Sequence, residues 1–318
     1  MDLASIFKAY DVRGVYPDQI DEIVAYRIGA AFAAFSEAGR IAVGRDMRPS
    51  SEPLSRAFIE GAASQGSDVI DVGLVSTDAL YFVSGRYDVP GAMFTASHNP
   101  GHYNGIKFCL AGAAPVSEDT GLQDIRALAE RGREPGGRAG AVAHRDVLDE
   151  FVEHALGLIE VKEIRPLTVV ADAANGMGGL ILPPIFERLP VKLVPLYFEL
   201  DGTFPNHPPD PIQAENLADL QKSVLDSGAD LGMAFDGDAD RVFLVDESSE
   251  PVSGSLTTAL VARRVLAKDP GASIVHNLIC SRVVREVILE DGGRPIRSRV
   301  GHSFVKKVMA ETGAAFGG

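Results

Sequence analysis

The chain has 318 residues, with 30 Lys and Arg against 44 Asp and Glu, a formal net charge of −14, 46% hydrophobic and 23% charged residues. That length exceeds one ordinary core and predicts two or three domains, and the acidic balance argues against nonspecific binding to nucleic acid or an anionic membrane. No apolar stretch is long enough to span a bilayer, the N-terminus lacks a basic region followed by an apolar one, and Cys109 and Cys280 sit in apolar runs that suit buried reduced thiols; together these point to the cytoplasm.

In chain order, one pattern occurs three times. Residues 41–43 read as a strand, the polar loop GRDMRPSS follows, 52–65 are helix-like and a strand returns at 69–72. Arg45 and Arg48 of that loop could hold anions, and pairing with Asp46 explains them equally well. Next comes AMFTASHNPGHYNGIKFC, residues 92–109. An apolar run ends at Ser97, two turn signals follow, and a hairpin strand returns over 106–110 and brings Lys107 back near Ser97. Strand ends are where α/β folds collect ligands. An isolated serine there is a cap or turn residue. With His98, Asn99 and Lys107 beside it, the hydroxyl suits a nucleophile or a carrier of phosphate, and the pattern leaves the two open.

ERGREPGGRAGAV (130–142) reads as a loop or linker, followed by a helix over 146–159. In the second copy a strand at 167–171 leads through DAANGMGG to a helix at 180–188 and a strand at 191–196. The glycines there fail the dinucleotide pattern because Ile181 stands in the sixth position. His207, in the proline-rich FPNHPPDP, reads as a surface residue. The third copy has a strand at 273–275, the loop HNLICSR, a helix at 283–290 and a strand at 295–299, after an apolar helix at 256–266. Strand, loop, helix, strand is the βαβ signature. The expected fold is α/β: three similar mixed-sheet domains in tandem, at about 1–143, 144–250 and 251–318.

Between the second and third copies lies LGMAFDGDADRVFLVD, residues 231–246. Two strands flank a tight loop bearing Asp236, Asp238 and Asp240, with Arg241 next. Three carboxylates at alternate positions repel one another, and a hard divalent cation bound through oxygen relieves that most simply. An EF-hand loop is rejected, because Arg241 occupies its glycine position and strands flank it where helices are required. The remaining alternative is a solvated acidic turn. Magnesium on three carboxylates would keep positions open for water or a phosphate oxygen, one of which a phosphate on Ser97 could fill.

TASHNPGHYNGIKF together with DGDADR resembles the α-D-phosphohexomutases, in their phosphomannomutase/phosphoglucomutase branch. FKAYDVRG (7–14) is similar to that family's N-terminal active-site loop, and VGHSFVKKVM (300–309) to a segment of its third domain. The resemblance runs the length of the chain. It implies a cytoplasmic isomerase whose Ser97 carries a phosphoryl group, with Mg2+ on Asp236, Asp238, Asp240 and the phosphoserine. Hexose 1-phosphate and 6-phosphate of mannose or glucose would interconvert through a hexose 1,6-bisphosphate, which also serves as activator. By the same resemblance Lys107 is the general acid/base, its pKa lowered by magnesium and Arg241, and His98 orients phosphate or substrate. Tyr10, Arg13, Asn99 and His302 contact substrate or phosphate. Lys306 and Lys307 face the site or form a solvated helix face. Where some members have a substrate-contacting lysine, this chain has Ile279, with Arg282 the candidate to take its place. The family continues beyond FGG into a Glu-x-Ser-Gly-His sugar loop and a fourth, phosphate-clamping domain, so a chain of domains I–III is expected to turn over poorly. Phosphoglucosamine mutase, a phosphoserine-type phosphatase and an inactive magnesium- and sugar-phosphate-binding fragment are the competing readings.

Overall fold

The computed structural model describes residues 2–318; Met1 and the side chains of His302 and Ser303 lie outside the described residues. The chain folds as two compact units, residues 1–249 and 250–318.

The first unit contains two sheets. Strands β1 (Val12–Val15), β2 (Arg40–Arg45), β3 (Asp68–Leu74), β4 (Gly91–Phe94), β5 (Tyr103–Leu110), β6 (Ala114–Pro115) and β7 (Val142–His144) form the first. Its order is β1-β5-β4-β2-β3-β7, with β6 paired to β5. β2 runs parallel to β3 and β4, whereas β5 is antiparallel to β4 and β1. Side chains alternate across a strand, and β2 shows the result. Ile41 and Val43 pack with helices α1 (Glu22–Ser36), α2 (Ser51–Ser64) and α4 (Leu122–Arg131), while Ala42 packs with α3 (Thr77–Tyr87) on the other face. Buried on both faces, these strands read as continuous apolar runs.

The stretch read as a loop or linker is irregular, but it is tied to the first sheet. Gly136 N donates to Ser64 O at 2.8 Å, Gly140 N to Ala63 O at 2.9 Å, and the chain then adds β7 alongside β3. A three-residue edge strand with every side chain exposed carries no hydrophobic alternation, so nothing in its sequence announced it.

Helices α1 and α2 cross at glycine. A Cβ on Gly61 would lie 2.0 Å from Tyr26 O, and one on Gly29 2.1 Å from Phe58 O. Gly61→Ala must push the two backbones apart, at a cost of about 1–3 kcal/mol. Urea titration should show a lower midpoint for this variant than for the wild type, and an unchanged midpoint would contradict the close crossing.

After α5 (Leu148–Gly157) come β8 (Leu167–Asp172), α6 (Gly178–Phe186), β9 (Val191–Leu196), α7 (Ala218–Ser227), β10 (Leu231–Phe235) and β11 (Val242–Asp246). They build the second sheet, with β11-β10-β8-β9 in sequence across it. α7 covers one face through Leu220 and Val224, and α6 the other through Leu182 and Phe186. β8, β9 and β10 are parallel, and β11 returns antiparallel to β10 across the aspartate loop.

The second unit opens with β12 (Pro251–Val252) and α8 (Gly254–Lys268), followed by β13 (Ser273–Asn277), α9 (Arg282–Glu290), β14 (Arg294–Ser298), α10 (His302–Thr312) and β15 (Phe316–Gly317). β13 is central and pairs in parallel with β14 and β15. Both cysteines are free thiols; Cys109 is buried and Cys280 half-buried. No helix among the described residues is long and apolar enough to cross a membrane.

Candidate active site

β4 ends at Phe94, and the next residues turn sharply. Ser97 adopts φ 51°, left-handed backbone that costs a non-glycine residue about 1–3 kcal/mol and persists only where the surroundings enforce it. The enforcement comes chiefly from Arg48, whose side chain is fully buried. Its Nη2 donates to Ser97 O at 2.9 Å and Asn99 O at 2.7 Å, and its Nη1 to Pro100 O at 2.7 Å and Tyr103 O at 3.1 Å. Its Nε donates to Asp46 Oδ2 at 3.1 Å, and the ring of Phe204 lies 5.0 Å from its guanidinium carbon. One cation thus satisfies four carbonyls of the serine loop. The two open readings of this pair resolve into one: Arg48 pairs with Asp46, whereas Arg45 lies 3.6 Å from Asp71.

The aspartate loop of the second sheet meets the serine loop directly. Ser97 Oγ donates to Asp236 Oδ2 at 2.6 Å. Gly237 makes this approach possible, because a Cβ there would sit 2.5 Å from Ser97 O. Lys107 reaches from β5 and donates to Asp238 Oδ2 at 2.6 Å and to Asp240 Oδ2 at 2.7 Å. Thr77, the first residue of α3, donates its hydroxyl to Asp238 Oδ2 at 2.5 Å and its backbone N–H to Asp238 O at 3.3 Å. The positive end of the α3 dipole therefore faces this carboxylate. Arg241 Nη1 lies 3.0 Å from His98 Nδ1, with its Nε 3.9 Å from Asp236 and 3.7 Å from Asp240. Arg13 Nη1 donates to Asn99 Oδ1 at 2.6 Å, and its Nη2 to Asp11 Oδ2 at 2.5 Å. Ser97, His98, Asn99, Lys107, Arg13, Arg241 and the three aspartates are thus one connected set. Tyr10 lies on the turn before β1, more exposed than the rest. His302 opens α10 in the second unit, and its side chain is outside the described residues.

The electrostatics leave room for a cation. Asp236, Asp238 and Asp240 each offer an oxygen within 4.8 Å of the others. Asp238 Oδ1 and Asp240 Oδ1 are buried without a hydrogen-bond partner. Leaving such atoms unsatisfied costs about 1–3 kcal/mol each, and a hard cation bound through oxygen removes that cost. Burial and the neighbouring carboxylates of Asp238 and Asp240 hold Asp236 well above the usual carboxylate range. Burial raises Asp238 too, but Lys107 and Thr77 overcome it and keep that carboxyl ionised far below the usual range. The donor set therefore fits a divalent cation of the magnesium type.

Two expectations need correction. Among the protein's own groups Lys107 is not lowered. Burial does pull its ammonium down, but Asp238 and Asp240 outweigh this and hold it far above the ordinary lysine value. His207 is not a bare surface residue, because its Nε2 lies 3.0 Å from Asp172 Oδ2 at the end of β8. Burial pulls its pKa down, and the hydrogen bond and charge of Asp172 raise it above 6.5 overall. The extra stability is therefore complete below pH 6.5 and is lost as pH rises through the higher folded value. Wild-type stability should fall between pH 6 and 8.5 by more than that of His207→Gln, and parallel profiles for the two would exclude a stabilising pair.

A buried serine at the end of a parallel strand, with a buried lysine and three clustered carboxylates beside it, defines a multidomain α/β protein with a centre that could hold a divalent cation. Residues 4–135, 149–249 and 253–318 match, in that order, the family models for phosphoglucomutase/phosphomannomutase alpha/beta/alpha domains I, II and III. The chain is 38% identical over 328 residues to a phosphomannomutase of Escherichia coli, covering 100% of this chain and 72% of that protein. It is 38% identical over 314 residues to a protein of Xanthomonas campestris named phosphohexose mutases, covering 98% and 70%. The crystal structure of a phosphoglucomutase/phosphomannomutase family protein from Burkholderia thailandensis superposes with a TM-score of 0.92 at 36% identity, covering 100% of this chain and 71% of that one. This chain belongs to the phosphoglucomutase/phosphomannomutase family.

Proposed function

We propose that the chain is a cytoplasmic phosphohexomutase that interconverts the 1- and 6-phosphates of mannose or glucose through a phosphoserine at Ser97. The division into domains at 1–143, 144–250 and 251–318 is part of this reading. The observation that carries it is the 2.6 Å contact between Ser97 Oγ and a carboxylate of the aspartate cage, two of whose other oxygens are buried without a hydrogen-bond partner. A phosphoryl group on Ser97 would bring dianionic charge to the mouth of that cage, which fits only if a cation is held there. Asp236, Asp238 and Asp240 would hold Mg2+. Bound there, it would neutralise phosphoryl oxygens as charge shifts during transfer.

In the forward half-reaction a free hydroxyl of the hexose monophosphate attacks phosphorus, the bond to Ser97 Oγ breaks, and a hexose 1,6-bisphosphate forms. The bisphosphate turns over in place and returns its other phosphoryl group to Ser97. Lys107, held as an ammonium by Asp238 and Asp240, would give its proton to Ser97 Oγ as the bond to phosphorus breaks and would regain one from the attacking hydroxyl. Arg241 and His98 flank the serine and orient phosphate, Arg13 and Asn99 are presented together at the rim to hold substrate oxygens, and Tyr10 and His302 complete the substrate contacts. Free hexose 1,6-bisphosphate would recharge a dephosphorylated serine. Conversion of glucose 1-phosphate to glucose 6-phosphate, dependent on magnesium and on catalytic bisphosphate, tests this reading. Release of inorganic phosphate without isomerisation would replace it with a phosphatase.

Magnesium itself provides a readout independent of turnover. A cation present at 100 times its dissociation constant stabilises the folded chain by about 2.7 kcal/mol. The thermal midpoint of the wild type should rise with magnesium and that of Asp238→Asn should not. Equal shifts in both would place the cation elsewhere.

A further inference from the structure

The aspartate cage takes two of its hydrogen bonds from the start of a helix. Thr77 is the first residue of α3 and is fully buried. It meets Asp238 at two points: its backbone N–H donates to Asp238 O at 3.3 Å, and its hydroxyl donates to Asp238 Oδ2 at 2.5 Å. The way the helix begins makes both donors available. Ser76 stands at the N-cap in extended backbone, and its Oγ accepts from Ala79 N at 3.1 Å. The Thr77 amide, one of the first amides that lack a partner within the helix, is left to reach Asp238. A bond to the carbonyl fixes where the aspartate loop runs, and a bond to the carboxylate fixes how the side chain is turned. The neighbouring backbone is held as firmly, since Ala239 adopts φ 57°, a left-handed conformation that persists only where the surroundings enforce it.

The two oxygens of Asp238 are thereby sorted. Oδ2 takes both protein donors, Thr77 at 2.5 Å and Lys107 at 2.6 Å, whereas Oδ1 is buried without a hydrogen-bond partner. Asp240 shows the same division, with Oδ2 on Lys107 and Oδ1 left over. Lys107 reaches both carboxylates from the end of a flexible four-carbon stem. Thr77 is β-branched and sits in the first turn of a helix, so its hydroxyl turns on one stiff torsion. The rigid donor, rather than the flexible one, decides which oxygen Asp238 keeps for a cation.

We propose that Thr77 is a positioning residue of the cation centre: its paired bonds to Asp238 hold Oδ1 ready for the metal. This role rests on magnesium being held by the three aspartates. Calorimetric titration of the full chain with magnesium chloride tests it, on the wild type, Thr77→Val, Thr77→Ala, Thr77→Ser and Asp238→Asn. Valine keeps the shape and the backbone amide and removes the hydroxyl alone. Its magnesium dissociation constant should rise by at least about tenfold, the scale on which metal sites respond to loss of a partner that orients a ligand. Alanine, which lacks the hydroxyl and adds no bulk, should match valine and decides the matter if valine fails to melt cooperatively in EDTA. Serine restores the donor and should recover most of the affinity. An affinity within about twofold of the wild type in the hydroxyl-free variants, or a loss in serine equal to theirs, would overturn the role of Thr77 and leave the magnesium site standing. A wild type that binds magnesium no more tightly than Asp238→Asn would instead overturn the cation reading, and this role with it.

Discussion

Ser97→Ala is expected to take up no phosphoryl group from glucose 1,6-bisphosphate and magnesium, whereas the wild-type chain gains one by intact mass. Mutase turnover should fall by at least about 10³-fold, the scale seen when a covalent nucleophile is removed. The expectation rests on how the neighbouring hydroxyls are engaged. Thr77 Oγ1 is committed to Asp238 and Thr95 Oγ1 accepts from Ser97 N at 2.9 Å, so neither is a free substitute nucleophile. Alanine at φ 51° is strained no more than serine, so the variant should fold and still show the magnesium-dependent rise in thermal midpoint. Equal mass gain in the variant would remove Ser97 from the reaction. No gain in the wild type would remove the phosphoserine reading altogether.

Arg48→Met should be the most damaging single change to stability. Methionine fills much of the volume but donates nothing. It strands Asp46 as a buried carboxylate and leaves four carbonyls of the serine loop without this donor. Breaking a buried pair in this way costs about 3–5 kcal/mol, which for a unit of this size is on the order of 10 °C in thermal midpoint. Because Ser97 is held in left-handed backbone by these contacts, phosphoryl uptake should fall together with stability. A loss below about 1 kcal/mol would mean that the loop is held by something other than Arg48.

Much of this molecule was legible along the chain. Strands buried on both faces read as short apolar runs, so β2, β8, β9 and β13 could be placed within a residue or two, and the turn chemistry of the serine hairpin and the aspartate loop is local enough to mark both. The carboxylates at 236, 238 and 240 marked a candidate cation site, because like charges at alternate positions repel wherever they fold. Edge strand β7 and the crossing of α1 on α2 were not legible in this way: the first lacks alternation, and the second depends on glycines whose purpose appears only when two backbones meet.

Most partners of the charged groups could not be read along the chain. Pairing of Arg48 with Asp46, two residues away, was one of two readings the sequence offered, anion binding being the other. That Arg48 also fastens carbonyls 49 to 55 residues away follows from β4 lying beside β2 in the sheet. The same holds for Lys107, whose counter-charges lie 131 and 133 residues further on, and for His207 with Asp172. Local pattern and charge along the chain were enough for the kinds of group at the centre, the strand ends that carry them and the candidate cation site. The tertiary structure alone decided which group faces which, and so the protonation of Lys107 and the strain at Ser97, because a pKa or a backbone angle is set by distances across the fold and not by spacing along the chain.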